Sequence, residues 1–496
     1  MRTFGKAAIK QMVEILICPL FCITKRSAPL GGRDQKAHAV WNYNYYEGMM
    51  NISGNKTTGS DFWIIGLSSI LIAIFAVFPY LPGRVNYDVL DIYKESQIGL
   101  FRDWHVPFMS WLWSKIGPSP ELIAALTTLV AVIIVGCGSF MFHRAGFKRH
   151  HTIILTFVFA MIPPVYSNLG ASSKDTWVAA LIMLMMVLSI VTQRRGLFIL
   201  RALLLCLAIT IRPEMVLLVP VFAVMEYVLF QRRLLQAGAF AVLCALLLIA
   251  HNVFIYRVLD TQRTNPESVI FLFDLAGISV RTDKMLLPPR AFPPQDMEIL
   301  KKHYHKYDIV PFIWHLPEDE MVQTVRGEAL REVQKRWLQA ILAHPLAYLS
   351  TRKDVALEHF IGSAMIHPET PDMIGLYFPK LYHSTINYIL LSRDVFGSHF
   401  LPFIGSLIVL WFLWRRRRDR DQPVFIAYIS LAIIYELIWL PLLASPNYRY
   451  GYLSVVLFNL ILILTLFRYR DYFLGLFARI FGYRRQKPLS PRAGGK

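Results

Sequence analysis

The chain has 496 residues, of which 55% are hydrophobic, 14% aromatic and only 17% charged, with a mean hydropathy of +0.43. Soluble proteins carry about a quarter charged residues, so a soluble multidomain enzyme is a poor fit. The formal net charge of +19 does not call for nucleic acid, because the arginines cluster between apolar blocks and after the last one, where they set topology and meet anionic headgroups.

Residues 12–23 are apolar but too short for a confident span, with Glu14 and Pro19 inside the run. Lys25, Arg26 and a polar stretch follow, with no small-residue cleavage site. The first segment, 1–61, therefore reads as cytoplasmic, and the sequons at Asn51 and Asn55 as silent. Of the five cysteines, Cys137, Cys206 and Cys244 lie in apolar blocks, and Cys18 and Cys22 lack companion metal ligands. None falls between 257 and 392, so no disulfide framework is expected there.

Ten segments have the length and apolarity of membrane spans: 62–81, 121–142, 152–167, 175–192, 197–211, 214–230, 235–256, 396–414, 423–443 and 450–468. The third contains Pro163 and Pro164, and the fifth contains Arg201, which near a span end can snorkel to the headgroups. Basic clusters follow the even-numbered segments: Arg144, Lys148 and Arg149; Arg194 and Arg195; Arg232 and Arg233; Arg415 to Arg418; and Arg468 onward. All fall on one side if both termini are cytoplasmic. The expected fold is thus an all-α integral membrane protein of about ten transmembrane helices. Its bundle covers 62–256 and 396–468, and a basic cytoplasmic tail covers 469–496. The opposite face carries a loop at 82–120 and a mostly helical extracytoplasmic domain at 257–395. Within that domain Val322, Val325, Ala329, Val333, Trp337 and Ile341 recur at helical spacing after Glu318, Asp319 and Glu320. Pro345 ends that helix, and a second runs to about Phe360.

The outer loops hold the candidate chemistry. Asp88 and Asp91, three apart, share a helix face just after the first segment, with Arg84 before them and Gln97 after. Such carboxylates serve as a general base toward a hydroxyl or hold a cation; they also suit a solvated helix start. Asp103 and His105 precede an aromatic run, Phe108 to Trp113, that suits an interfacial helix; two such residues are too few to assign a metal. Three short outer loops each carry one cation: Ser172-Ser173-Lys174-Asp175, Arg212-Pro213-Glu214 and Ser445-Pro446-Asn447-Tyr448-Arg449-Tyr450. Ionisable groups at the edge of a bundle are expensive and tend to be functional, and convergent Lys and Arg suit a phosphate. The simpler account pairs them locally, Lys174 with Asp175 and Arg212 with Glu214. Asp274 fits either the site or a buried turn. The histidines of the outer stretch match no zinc spacing, and there is no Walker A motif, dinucleotide fingerprint or G-x-S-x-G elbow.

Taken together, the acidic loop after the first span, the Asp103-Trp-His-x-Pro segment, the Arg212-Pro-Glu hairpin and the terminal Ser445-Pro-x-Tyr-Arg-Tyr resemble the GT-C glycosyltransferases. The likeness runs from about residue 62 to about residue 470 and is greatest to uncharacterised bacterial members and to O-antigen-modifying glucosyltransferases. It implies transfer of a sugar from a polyprenyl-phosphate donor to a glycan, lipid or protein acceptor, on the periplasmic face of a bacterial inner membrane. The donor phosphate would lie near Lys174, Arg212 and Arg449, with Arg84 and Tyr450 alongside. Asp103, His105, Gln97, Glu214 and Asp175 would support the site or the acceptor. The family's first-loop Asp maps to Asp88, but Val89 stands where several branches have Glu, so Asp88 and Asp91 both remain candidates for the base. Some members use a divalent metal and others none, so metal dependence is not implied. A transporter or flippase of lipid-linked saccharides, or a glycan polymerase or ligase, would use the same cations.

Overall fold

The computed structural model describes residues 59–84, 87–191, 197–229, 234–313, 325–362, 375–392, 398–416, 422–444 and 448–480. Every named element among them is helical, and β pairing is limited to isolated bridges. The chain order begins with α1 (Gly59–Val77), α2 (Tyr87–Ile98), α3 (Pro107–Ile116) and α4 (Pro120–Arg144). Then come α5 (Arg149–Met161), α6 (Pro163–Leu169), α7 (Lys174–Val191), α8 (Leu197–Ile211), α9 (Val219–Leu229) and α10 (Leu234–Val253). The outer stretch holds α11 (Ser268–Thr282), α12 (Met297–His303), α13 (Val310–Ile313), α14 (Gly327–Ala343), α15 (Pro345–Ile361) and α16 (Pro379–Leu391). The chain closes with α17 (Phe400–Arg415), α18 (Gln422–Trp439), α19 (Tyr452–Arg468) and α20 (Arg470–Ile480).

Six helical stretches are long and apolar enough to cross a membrane: Ser60–Tyr80, Pro120–Arg144, Lys174–Val191, Leu234–Val258, Gln422–Trp439 and Arg449–Arg468. Counting α5 and α6 together makes seven, with a bend of 71° between them. Pro163 and Pro164 cause that break, since proline cannot continue the ladder of the preceding helix and starts a new one well. The shorter apolar helices are α8 and α17. The sixth expected segment is divided into a 3-10 turn, Pro213–Leu218, and α9.

The packing explains the sequence pattern. α4 packs against α1, α5 and α7, and α19 is held among α18, α17, α7 and α6. Helices at the centre are apolar all round, and those at the rim turn large side chains outward. Leu67, Leu71 and Phe75 on α1, Val242, Leu246 and Ile249 on α10, and Ile408 and Trp411 on α17 are all exposed. In water such a ring would be a liability; against acyl chains it is the expected surface.

Arg201 departs from the expected snorkelling. Its guanidinium is 1% exposed and meets Glu226 of α9 through two contacts, Nε to Oε1 at 2.5 Å and Nη2 to Oε2 at 2.8 Å. Gln236 of α10 donates to the same carboxylate at 3.2 Å. The carboxylate was out of view in the sequence because it lies 25 residues on, in the neighbouring helix.

In the outer stretch, α14 begins at Gly327 rather than at the acidic triplet, and Val322 with residues 318–320 lies outside the described residues. α15 ends at Ile361, as its periodicity predicts, and Pro345 opens it at the first helical position. Asp274 is fully buried in α11, a helix rather than a turn. It accepts from Trp337 Nε1 at 2.8 Å and Arg352 Nη2 at 2.6 Å, and Arg352 also donates to the Leu443 carbonyl. Burial raises the Asp274 carboxyl, against the pull of Arg352 and Trp337. Asp274 is thus an internal brace that ties α11 to α14 and α15. The N-terminal residues 1–58 and the tail from 481 lie outside the described residues, as do Cys18 and Cys22.

Backbone ties bring the loop after α1 to its neighbours. Arg84 N donates to Gly170 O at 2.8 Å, just ahead of α7. Gly170 is packed so closely under the buried Tyr80 ring that a Cβ would lie 2.1 Å from Tyr80 Cγ. Gly170→Ala should therefore cost about 1–3 kcal/mol by overpacking, read as a lower Tm in detergent; an unchanged Tm would refute this account of the contact.

Candidate functional site

Four helix ends meet at one level. α2 starts just after α1 and carries Asp88 and Asp91 one turn apart. Lys174 and Asp175 open α7, Arg212 follows α8, and Arg449 lies in the 3-10 turn Tyr448–Gly451 that leads into α19. Three of these ends are helix N-termini, where the backbone dipole adds positive potential.

The cations converge on Asp88. Lys174 Nζ lies 3.3 Å and Arg449 Nη2 3.2 Å from its Oδ2, and His105 Nδ1 lies 3.8 Å from its Oδ1. Burial alone would raise this carboxyl, but Arg449, Lys174 and His105 outweigh it and hold it well below the usual carboxylate range. Asp88 is therefore a firmly held anion.

Asp91 has a different setting. Its Oδ2 lies 2.9 Å from His105 Nε2, and its side chain is 47% exposed. An ionised carboxylate only accepts, so His105 Nε2 is the donor in that form. His105 is thus a buried bridge between a caged carboxylate and an open one. Deeper on α2, Glu95 accepts from Ser110 of α3 at 2.9 Å and clamps the two helices; burial raises its carboxyl.

A second pair lies behind the first. Arg212 is 2% exposed and paired with the equally buried Asp175, with Glu214 Oε2 at 3.9 Å from its Nε. Its guanidinium sits over the Trp439 ring at 4.3 Å and the Tyr450 ring at 5.0 Å, and the two rings stack 5.2 Å apart. Cation–π contact of this kind holds a guanidinium in place. Asp175 Oδ2 also lies 3.9 Å from Arg449 Nε. The simpler local pairing is therefore replaced for Lys174, whose partner is Asp88, and widened for Arg212, whose buried partner is Asp175.

The other predicted residues take different places. Arg84 is buried and donates from Nη1 to the Ser167 carbonyl at 3.2 Å, which makes it a tie beneath the site. Asp103 accepts from Thr264 N and Oγ1 at 2.5 and 2.6 Å and from the Tyr256 hydroxyl at 3.1 Å. It hooks the segment between α2 and α3 to the stretch between α10 and α11 rather than facing the cations. Gln97 is exposed, at the far end of α2 from Asp88. The aromatics of α3 are no exposed belt: Trp113 is fully buried and Trp111 meets Phe254 edge-on at 5.2 Å. Sequence reasoning missed Trp439, which ends an ordinary apolar helix and has no signal of its own beyond its aromatic side chain.

Comparison with family models, with curated proteins and with solved structures returned no match for this chain.

Proposed function

We propose that this chain is a membrane glycosyltransferase that moves a sugar from a polyprenyl-phosphate donor to an acceptor hydroxyl on the extracytoplasmic face. The observation that carries the reading is the convergence of Lys174 and Arg449 on Asp88 at the ends of apolar helices. Two cations from loops far apart in sequence, beside an open carboxylate, suit a phosphate leaving group and the base that activates its attacker. The ten-span topology, with both termini cytoplasmic and a periplasmic site, counts α5 with α6, α8, α9 and α17 as spans alongside the six longer stretches.

In this mechanism Asp91 takes the proton of the acceptor hydroxyl. The hydroxyl oxygen forms a bond to the anomeric carbon as the bond to the phosphate oxygen breaks, with inversion. The electron pair leaves on polyprenyl phosphate, held by Lys174 and Arg449. His105 orients Asp91. Asp88, already committed to the cations, positions them rather than accepting the proton. Arg212, fixed by Asp175, Trp439 and Tyr450, adds fixed positive charge behind them.

Incubating the purified chain with polyprenyl-phosphate sugars and an envelope glycan acceptor tests the reading. Donor should be consumed and a glycosylated acceptor should appear. No turnover of any such donor, together with movement of lipid-linked glycan across vesicles, would replace the transferase with a transporter. Lys174→Met should raise the donor KM about 10- to 100-fold, the worth of one charge-assisted contact, with a smaller effect on kcat. An unchanged KM removes Lys174 from the phosphate site.

A further inference from the structure

Three ligand-type side chains meet at a second place. His359 lies in the last turn of α15, His399 immediately precedes α17, and Glu436 is near the end of α18. Their histidine spacing in sequence, which matches no zinc pattern, hid them: the set comes from three elements. Each is 1% exposed or less. His359 Nε2 lies 3.0 Å from Glu436 Oε2, and His399 Nδ1 lies 3.1 Å from Glu436 Oε1. The two imidazoles stack with centroids 4.3 Å apart and planes 18° from parallel. One ligand atom from each residue falls within 4.8 Å of the others.

A carboxylate buried this deeply needs a compensating cation. One protonated imidazole of the stacked pair would supply it, whereas two would repel each other. A metal ion supplies it and leaves both rings neutral, the form in which histidine ligates. Tetrahedral ligation at about 2.0–2.1 Å places ligand atoms about 3.3 Å apart, a few tenths beyond the distances seen. His359 Nδ1 is buried and makes no hydrogen bond among the described residues, which leaves a nitrogen of this ring with no partner there. Gly451 walls the cluster with bare backbone: a Cβ there would lie 2.2 Å from His399 Cε1 and 2.5 Å from Glu436 Oε1.

We propose that His359, His399 and Glu436 bind a divalent transition-metal ion. Two imidazoles and one carboxylate match zinc, whereas magnesium and calcium prefer oxygen throughout. The ion would staple α15 of the outer domain to α17 and α18. Through Gly451 it would back the turn that carries Arg449 and Tyr450. The inference is independent of the sugar-transfer reading.

The full-length chain, purified in detergent, stripped with chelator and dialysed against zinc, should retain roughly one zinc per chain by elemental analysis, with three protein ligands and one further position. His359→Ala and His399→Ala should each lose it. Gly451→Ala, which keeps all three ligands but fills the wall, should lose it too. Cobalt loading should give the intense visible band of a four-coordinate site in the native chain alone. Chelation should lower the Tm of the native chain and leave that of His399→Ala unmoved. A native chain that retains no stoichiometric zinc, or whose loaded cobalt shows no such band, overturns the proposal whether or not the variants fold; zinc retained in His359→Ala/His399→Ala does so as well.

Discussion

Asp91→Asn should lower the turnover of the proposed sugar transfer about 10²- to 10⁴-fold, the usual contribution of a general base, while donor KM changes little. The amide keeps the size of the side chain and its contact with His105, whose Nε2 lies 2.9 Å away, but it has no lone pair basic enough to take a hydroxyl proton. Asp88→Asn should behave differently. Its carboxylate is held well below the usual range by Arg449, Lys174 and His105 once burial is overcome, and a carboxylate so stabilised is a weak proton acceptor. Neutralising it disturbs the placing of Lys174 and Arg449, so its effect should appear in donor KM. Steady-state kinetics of the two variants, with donor binding measured separately, decides the assignment. If Asp88→Asn abolishes turnover with unchanged KM and Asp91→Asn is active, the base is Asp88.

The second large effect is on stability. Arg201→Leu alone should destabilise the protein by about 3–5 kcal/mol, because it strands the Glu226 carboxylate in an apolar interior. Glu226 is 5% exposed and its partner 1%, so water has almost no access to either. The double variant Arg201→Leu/Glu226→Leu removes both charges and should recover most of that loss. Thermal unfolding in detergent, or the yield of folded protein after heating, measures the difference. Single variants as stable as the native chain would show that the pair is not desolvated.

How far the sequence leads is set by which signals are local. The apolar blocks and the isolated cations at Lys174, Arg212 and Arg449 are written in consecutive residues, so helices and candidate loops follow directly. Bends and breaks are also local where proline causes them, as at Pro163. Partner choice is not local. Lys174 looks paired with its neighbour Asp175, yet its carboxylate is Asp88, 86 positions earlier, because the backbone tie from Arg84 N to Gly170 O draws the two segments together. Asp103 reads as a site residue by type and position, and its partners, Thr264 and Tyr256, lie in another part of the chain. Glu436 stands out as a lone carboxylate in an apolar run, but only the packing of α15, α17 and α18 gives it two histidines. The outer helix α14 starts later than its acidic triplet predicts, since an amphipathic pattern marks a face and not a first residue.

The caged carboxylate also sets a charge balance. Asp88 and Asp175 stand against Lys174, Arg212 and Arg449, and these five paired charges sum to +1 (three positive less two negative). A sugar phosphodiester brings one negative charge and would leave the cluster neutral. The phosphate monoester it becomes carries about −1.5 to −2 near neutral pH, more than the cluster balances. In the proposed reaction Asp88, by cancelling one of the three cations, would favour the donor over the spent carrier and so help the product to leave.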